Sequence, residues 1–338
     1  MLSALLTLWL LVSPAVTDPV PPAAPGGPGE PEPAPIAARL PGLADFAEHG
    51  AVTGHEQAFL AHVEAWLPAG LHVERDALGS LIVRTDPPGV PVRKLVSVGV
   101  DEPGYVVSRI RDDGYLRLRT LGGRDVHDDF HLWNEGRPVA IGTRLGEIPG
   151  VILINAIHLR GQRPEHIGEQ HLWVDIGADS ASDAFVMGVE LLDPVVVRDV
   201  IAYERGHVAA PALGRRAAAL ALLRVIHELP DDAEGLAFAF VAQSRGGTWV
   251  HPGGAQSNGP QGRGGEAVHR RVNADEWLLL GTSSDASTAV MGPEPDSDGP
   301  VQYAWMALGV QHVHTPIETV RHEDLATFTG AVYAEVMR

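Results

Sequence analysis

The sequence predicts an α/β fold interrupted by a small all-β domain. Two stretches, 40–104 and 206–338, alternate helical periodicity with short, continuous apolar strands. Between them, 105–205 holds only strand-like runs (YVVSRI, YLRLRT, VILINAI, HLWVDI, ELLDPVVV) broken by Gly, Asp and Pro, with no sustained helical period. Such a pattern reads as an inserted β-barrel or sandwich. At 338 residues and 45% hydrophobic content, the chain is long enough for one large or two ordinary cores.

In chain order, Leu2 to Val12 is an apolar run too short for a membrane span, which needs about 20 residues. With Ser13 and Ala15 behind it, it reads as a signal peptide over 1–17. The expected location is outside the cytoplasm: periplasmic, secreted, or tethered to the membrane by an uncleaved N-terminal segment. Residues 18–39 are proline-rich and read as a disordered tether. Thr53 and Glu56 have capping-box spacing ahead of a helix whose apolar face is Phe59, Leu60, Val63, Trp66 and Leu67. Leu71–Glu74 and Leu81–Arg84 form a hairpin around Asp76 to Gly79, and Leu95–Val100 a buried strand. After the insertion come a helix over 212–229, strands at Leu236–Val241 and Trp277–Leu280, and a closing helix over 323–337. His251 to Gly265 reads as a loose loop.

Composition excludes several function classes. Against 25 Lys and Arg stand 43 Asp and Glu, for a net charge of −18. No basic face is expected for nucleic acid or anionic lipid. The absence of cysteine removes thiolate metal sites, iron–sulfur clusters and Cys nucleophiles.

Eight segments, in order, resemble the deblocking and glutamyl aminopeptidase family, the tetrahedral cocatalytic metallopeptidases formerly also called endoglucanases. They are VTGHE at 52–56, ERDALGSLIV at 74–83, DEPGYVV at 101–107, LGG at 121–123, WVDIGA at 173–178, ALGRRAA at 212–218, FVAQ at 240–243 and HTPIETV at 314–320. The resemblance implies a zinc-peptidase-like central mixed sheet with flanking helices and an inserted small β-barrel that mediates oligomer contacts. It also implies two divalent ions sharing a bridging carboxylate and activating a water, with a glutamate as general base.

Position by position, the resemblance implies a degenerate member. A histidine is expected at Gly99, the bridging aspartate at Gly214, and a metal aspartate at Gly281. The Gln-Glu-Glu triplet that carries base and ligand is Gln243-Ser244-Arg245. Asp101 survives, and His314 remains as the surviving metal ligand, with Glu318 behind it. Glycine has no donor atom, and a guanidinium cannot lose its proton to become a ligand. The expected cofactor is therefore none, or zinc or cobalt if any.

The leading expectation is an exported, catalytically inactive relative that binds peptides or assembles with itself or an active paralogue. The alternative is an active metallo-aminopeptidase with a single-metal site of His312, His314 and Asp101, the two histidines lying on one face of a strand. A metal-free hydrolase is a third reading, but Ser244, Ser283 and Ser284 lack a nucleophile motif. The cluster His127, Asp128, Asp129 and His131 reads as a solvated turn, and the Gly-rich tract at 252–265 has no phosphate-loop Lys or clear following helix. Asp101 and Glu102 point to opposite faces, and Asp101 is expected to pair with Arg245, so that Arg245→Glu destabilises the domain.

Overall fold

The computed structural model describes residues 40–122, 129–154, 167–245, 262–284, 289–291 and 303–338. The signal peptide, the tether, His127 and Asp128 lie outside the described residues.

The chain opens with helices α1 (Leu43–Ala47) and α2 (Gln57–Ala65) and the antiparallel hairpin of strands β1 (His72–Arg75) and β2 (Leu81–Arg84). Strand β3 (Lys94–Gly99) is buried along its whole length. Strands β4 (Gly104–Ile110), β5 (Leu116–Leu121), β6 (Pro138–Thr143), β7 (Gly146–Leu153), β8 (Trp173–Asp175) and β9 (Pro194–Val197) close into a barrel, with short helices α3 (Phe130–Trp133) and α4 (Ala181–Val186) in its connections. Inward residues such as Tyr105, Val107, Leu116, Ile141 and Val174 fill the barrel and leave it a separate core. Closure removes the free edges that short strands would otherwise expose.

Strands β10 (Ile201–Tyr203) and β11 (His207–Ala210) lead to helix α5 (Leu213–His227), then β12 (Leu236–Val241), α6 (Gly262–Val272), β13 (Glu276–Ser283), β14 (Ala289–Met291), β15 (Tyr303–Gly309), β16 (Glu318–Arg321) and α7 (His322–Val336). The main sheet runs β1-β2-β12-β3-β13-β15-β14. Its centre, β12-β3-β13-β15, is parallel, and its margins are antiparallel. Helices α1, α5 and α7 cover one face over Val96, Val98, Phe238 and Phe240. Helix α6 covers the other, with Val268 and Val272 against Ala239 and Leu279. Helix α5 is buried from Ala217 to Leu223 on all sides, which explains its weak amphipathic signal.

Four local expectations are corrected. Thr53 does not cap α2; its hydroxyl donates to Asp101 Oδ2 at 2.8 Å, and Glu56 is itself the N-cap residue. The loop expected over 251–265 yields to α6 from Gly262, where Val268 and Val272 gain apolar cover that outweighs three helical glycines. Strand β13 runs on to Ser283, so Gly281 lies within the strand rather than after it. His312 and His314 sit in a turn, with φ of 59° and 62°, not on a strand. Ladder pairing resumes only at β16.

Candidate functional site

In open α/β sheets, ligands gather at the carboxyl ends of the parallel strands. Here the ends of β3 and β12, the first turn of α5 and the 312–318 turn converge. Asp101, just past β3, is fully buried. It accepts from Thr53 Oγ1 at 2.8 Å, Ser244 N at 2.9 Å, Arg245 N at 3.1 Å, and from the Ser244 hydroxyl. Ser244 Oγ in turn accepts from Arg215 Nη1 at 2.8 Å, and that nitrogen lies 3.6 Å from Asp101 Oδ1. The guanidinium paired with Asp101 is thus Arg215, on the helix, and not Arg245, whose Nε donates to Gly122 O. The chain reverses at Gln243, whose φ is 51°, and this turn aims the Ser244 and Arg245 amides at the carboxylate.

Three further carboxylates hold the surroundings. Glu318, also buried, takes Gly214 N on one oxygen and His314 N on the other, each at 2.8 Å. Glu102 faces away from Asp101, as expected, and pairs with Arg216, whose other nitrogens donate to His49 O and Pro211 O. Glu56 Oε1 accepts from Gly54 N and Gln243 N at 2.8 Å, while its buried Oε2 has no partner among the described residues. Burial raises the Glu56 pKa, the two amide bonds oppose this, and Asp101 adds to it. His314 is exposed at the rim. Partial desolvation lowers its pKa, Glu318 opposes, and Arg215 and Arg245 lower it further.

Residues 79–245 match the M42 glutamyl aminopeptidase family. Over that stretch, just under half of its length, the chain resembles that family. It is 30% identical over 161 residues to SgcX of Escherichia coli (strain K12), covering 46% of this chain and 41% of the relative. It is 30% identical over 122 residues to the lysyl aminopeptidase of Pyrococcus furiosus, covering 35% and 33%. The chain thus spans less than half the length of these curated relatives. Among solved structures, the TET aminopeptidase of a marine sediment Thaumarchaeota archaeon has a TM-score of 0.70 at 19% identity, over 88% of this chain and 95% of that one. The Pyrococcus horikoshii TET1 peptidase has 0.69 at 21%, over 87% and 98%. At these identities the likeness is one of fold, and it matches the mixed sheet and inserted barrel.

The ions that the M42 family implies find no matching donors at the described positions. A Cβ on Gly99 would lie 2.3 Å from Ser244 Oγ, 2.8 Å from Ser244 Cβ and 3.0 Å from Arg215 Nη1. On Gly214 it would meet Thr282 Cγ2 at 2.7 Å and Val310 Cγ2 at 2.9 Å. On Gly281 it would meet Trp305 Nε1 at 2.5 Å. Each glycine is therefore the room that a neighbour's side chain occupies, not an empty ligand position. Asp101 already has four donors on its roughly four acceptor positions. Among the described residues no three His, Asp or Glu side chains converge as a metal needs. His312, His314 and Asp101 do not form such a group.

The cluster expected around His131 is partly described. His131 Nδ1 meets Tyr105 OH at 3.2 Å, and Asp129 is the N-cap residue of α3. Sequence reasoning missed Arg215 and the Glu102–Arg216 pair. The one available signal was ALGRR, two arginines at the start of a mostly apolar helix. Cations are unfavourable at a helix N-terminus unless a carboxylate meets them.

Proposed function

We propose that this chain is a catalytically retired, exported relative of the M42 aminopeptidases, acting as a binding or assembly protein. One observation carries the reading. At Gly99, Gly214 and Gly281, where the family resemblance implies donors, there is neither a side-chain donor nor space for one, while Arg215 supplies a positive charge beside Asp101. Reversion at one position would not rebuild a ligand, because Ser244, Thr282, Val310 and Trp305 would all have to move. No described group is left to act as base where Ser244 stands, since its hydroxyl is committed between Asp101 and Arg215.

Assembly is supported by the relatives and by the barrel surface. The P. horikoshii TET1 peptidase assembles into a tetrahedron or an octahedral shell. On this chain Leu145, Phe185, Val186, Leu191 and Leu192 are all exposed on the barrel, an arrangement suited to contact between copies or with an active paralogue. Peptides are the expected ligands of the cleft.

The test is metal content and turnover. The purified chain, measured by mass spectrometry after incubation with zinc, cobalt or manganese, is expected to hold well under one ion per chain. It is expected to leave aminoacyl anilides uncleaved with each metal. One or two ions per chain with chelator-sensitive cleavage would overturn the reading.

A further inference from the structure

The Arg215 guanidinium enters the cleft through the gap at Gly99, and only one of its edges is used. Nη1 donates to Ser244 Oγ at 2.8 Å and faces Asp101 Oδ1 at 3.6 Å. Among the described residues, nothing accepts from Nε or Nη2, and the side chain is 29% exposed. An arginine cannot shed its proton, so this edge presents N–H donors to solvent at every working pH. Arg245 is held to the same carboxylate, its backbone N–H donating to Asp101 Oδ2 at 3.1 Å while its Nε donates to Gly122 O. The N-terminus of helix α5, whose first turn holds no acid of its own, is met by the Glu318 carboxylate at Gly214 N. Three neighbouring carboxylates are already engaged, Asp101 on the Ser244 turn, Glu318 on Gly214 N and His314 N, and Glu102 on Arg216, while Glu56 is held by the Gly54 and Gln243 amides through one oxygen.

We propose that the open edge of Arg215, with Arg245 beside it, is a carboxylate-binding site in the cleft. The planar fork of a guanidinium matches the two oxygens of a carboxylate. A singly charged group suits the site better than a dianion, because Asp101 and Glu318 lie near and repel a second negative charge. The ligand is a free carboxylate, either the C-terminus of a peptide or a small organic acid. An aminopeptidase cleft must instead receive a substrate's amino end beside its metals. The inference rests on the metal-free reading of the site, and adds to it what the cleft now grips.

The test uses the whole chain at low ionic strength with neutral phenanthroline present throughout, so that no stray metal carries the binding. Three probes are titrated by calorimetry: N-acetyl-dialanine, its C-terminal amide, and butanoate. The free acids are expected to bind and the amide not to bind. Tighter binding of the peptide acid than of butanoate would assign the peptide source, and the reverse the small-acid source. Arg215→Met is expected to weaken the acid by about ten- to a hundred-fold. Arg245→Met, which leaves the Asp101 cluster in place, is expected to weaken it several-fold and serves if Arg215→Met does not fold. Equal binding of acid and amide, no binding of either acid, or unchanged binding in both variants would overturn the proposal. Binding that appears only in a parallel titration without phenanthroline would sink it too, together with the metal-free reading. Absent carboxylate binding without metal uptake would leave that reading standing.

Discussion

Gly99→Ala is a one-carbon change whose sign separates a vacant ligand position from a filled one. The φ of Gly99 is not in the left-handed region, so alanine meets no backbone strain there. In open space the substitution would stabilise by about 0.4–1 kcal/mol, through a less free unfolded chain. The new Cβ instead falls 2.3 Å from Ser244 Oγ and 2.8 Å from Ser244 Cβ. Arg215 could retreat, but Ser244 cannot. Its turn is pinned by amide bonds from Gln243 to Glu56 and from Ser244 and Arg245 to Asp101. Overpacking costs about 1–3 kcal/mol. Breaking the Ser244 hydroxyl bond to a buried carboxylate costs about 1.5–3 kcal/mol more. The expected loss is about 3–5 kcal/mol.

Ser244→Gly removes the obstructing atoms and by itself costs about 1.5–3 kcal/mol for the lost hydroxyl. In the double variant the Cβ has room, so the cost should stay close to that of Ser244→Gly alone. The coupling expected from a double-mutant cycle is about 2 kcal/mol or more. Urea unfolding with a common m-value measures it. A Gly99→Ala variant as stable as the parent, or two substitutions additive within about 0.5 kcal/mol, would refute the geometry on which the reading of the site depends.

Two further outcomes follow from the buried polar groups beside the site. Arg216→Met strands Glu102 in the interior, where both side chains are under a tenth exposed. It should cost about 3–5 kcal/mol, seen as a fall in Tm of about 5–8 °C for a domain of this size. His49 stacks on His62 at 3.9 Å, and its pKa is lowered from 6.5 to about 4, by burial first and then by His62, Arg198 and Arg216, with Asp45 opposing. Between those values the unfolded chain binds a proton that the folded chain does not. This contribution is therefore full above pH 6.5 and is lost as pH falls to about 4, by at most about 3 kcal/mol. His49→Gln should flatten that slope in unfolding measured from pH 4 to 7; an unchanged slope would place the titration elsewhere.

On the proposed reading, fixed charge replaces exchangeable charge in the cleft. A metal pair needs lone pairs left free and a cavity kept open. Here Asp101 has spent its lone pairs on N–H and O–H donors, and the cavity is closed by Ser244, Thr282, Val310 and Trp305. A guanidinium brings charge without needing a ligand set, and it cannot be chelated away. Its geometry prefers a flat anion to a water or an amine.

The sequence by itself determined the elements and their order. Periodicity in 57–65, 213–227 and 322–336, and the apolar runs at β3 and β12, were readable because burial of one face dictates local residue pattern. The eight ordered motifs carried the resemblance to the family, and glycine at 99, 214 and 281 put no side-chain donor at those positions. Tertiary structure alone decided what took their place. Arg215 reaches Ser244, which stands 29 residues away, and Ser244 meets Asp101 from 143 residues away. No local pattern encodes such pairings. The same limit explains the errors: α6 is helical because the sheet offers its valines cover, and the His312–His314 turn leaves the extended form because Glu318 holds its backbone. Local propensity is set by a residue and its neighbours in the chain, whereas a site is set by which buried charges the fold brings within hydrogen-bonding reach.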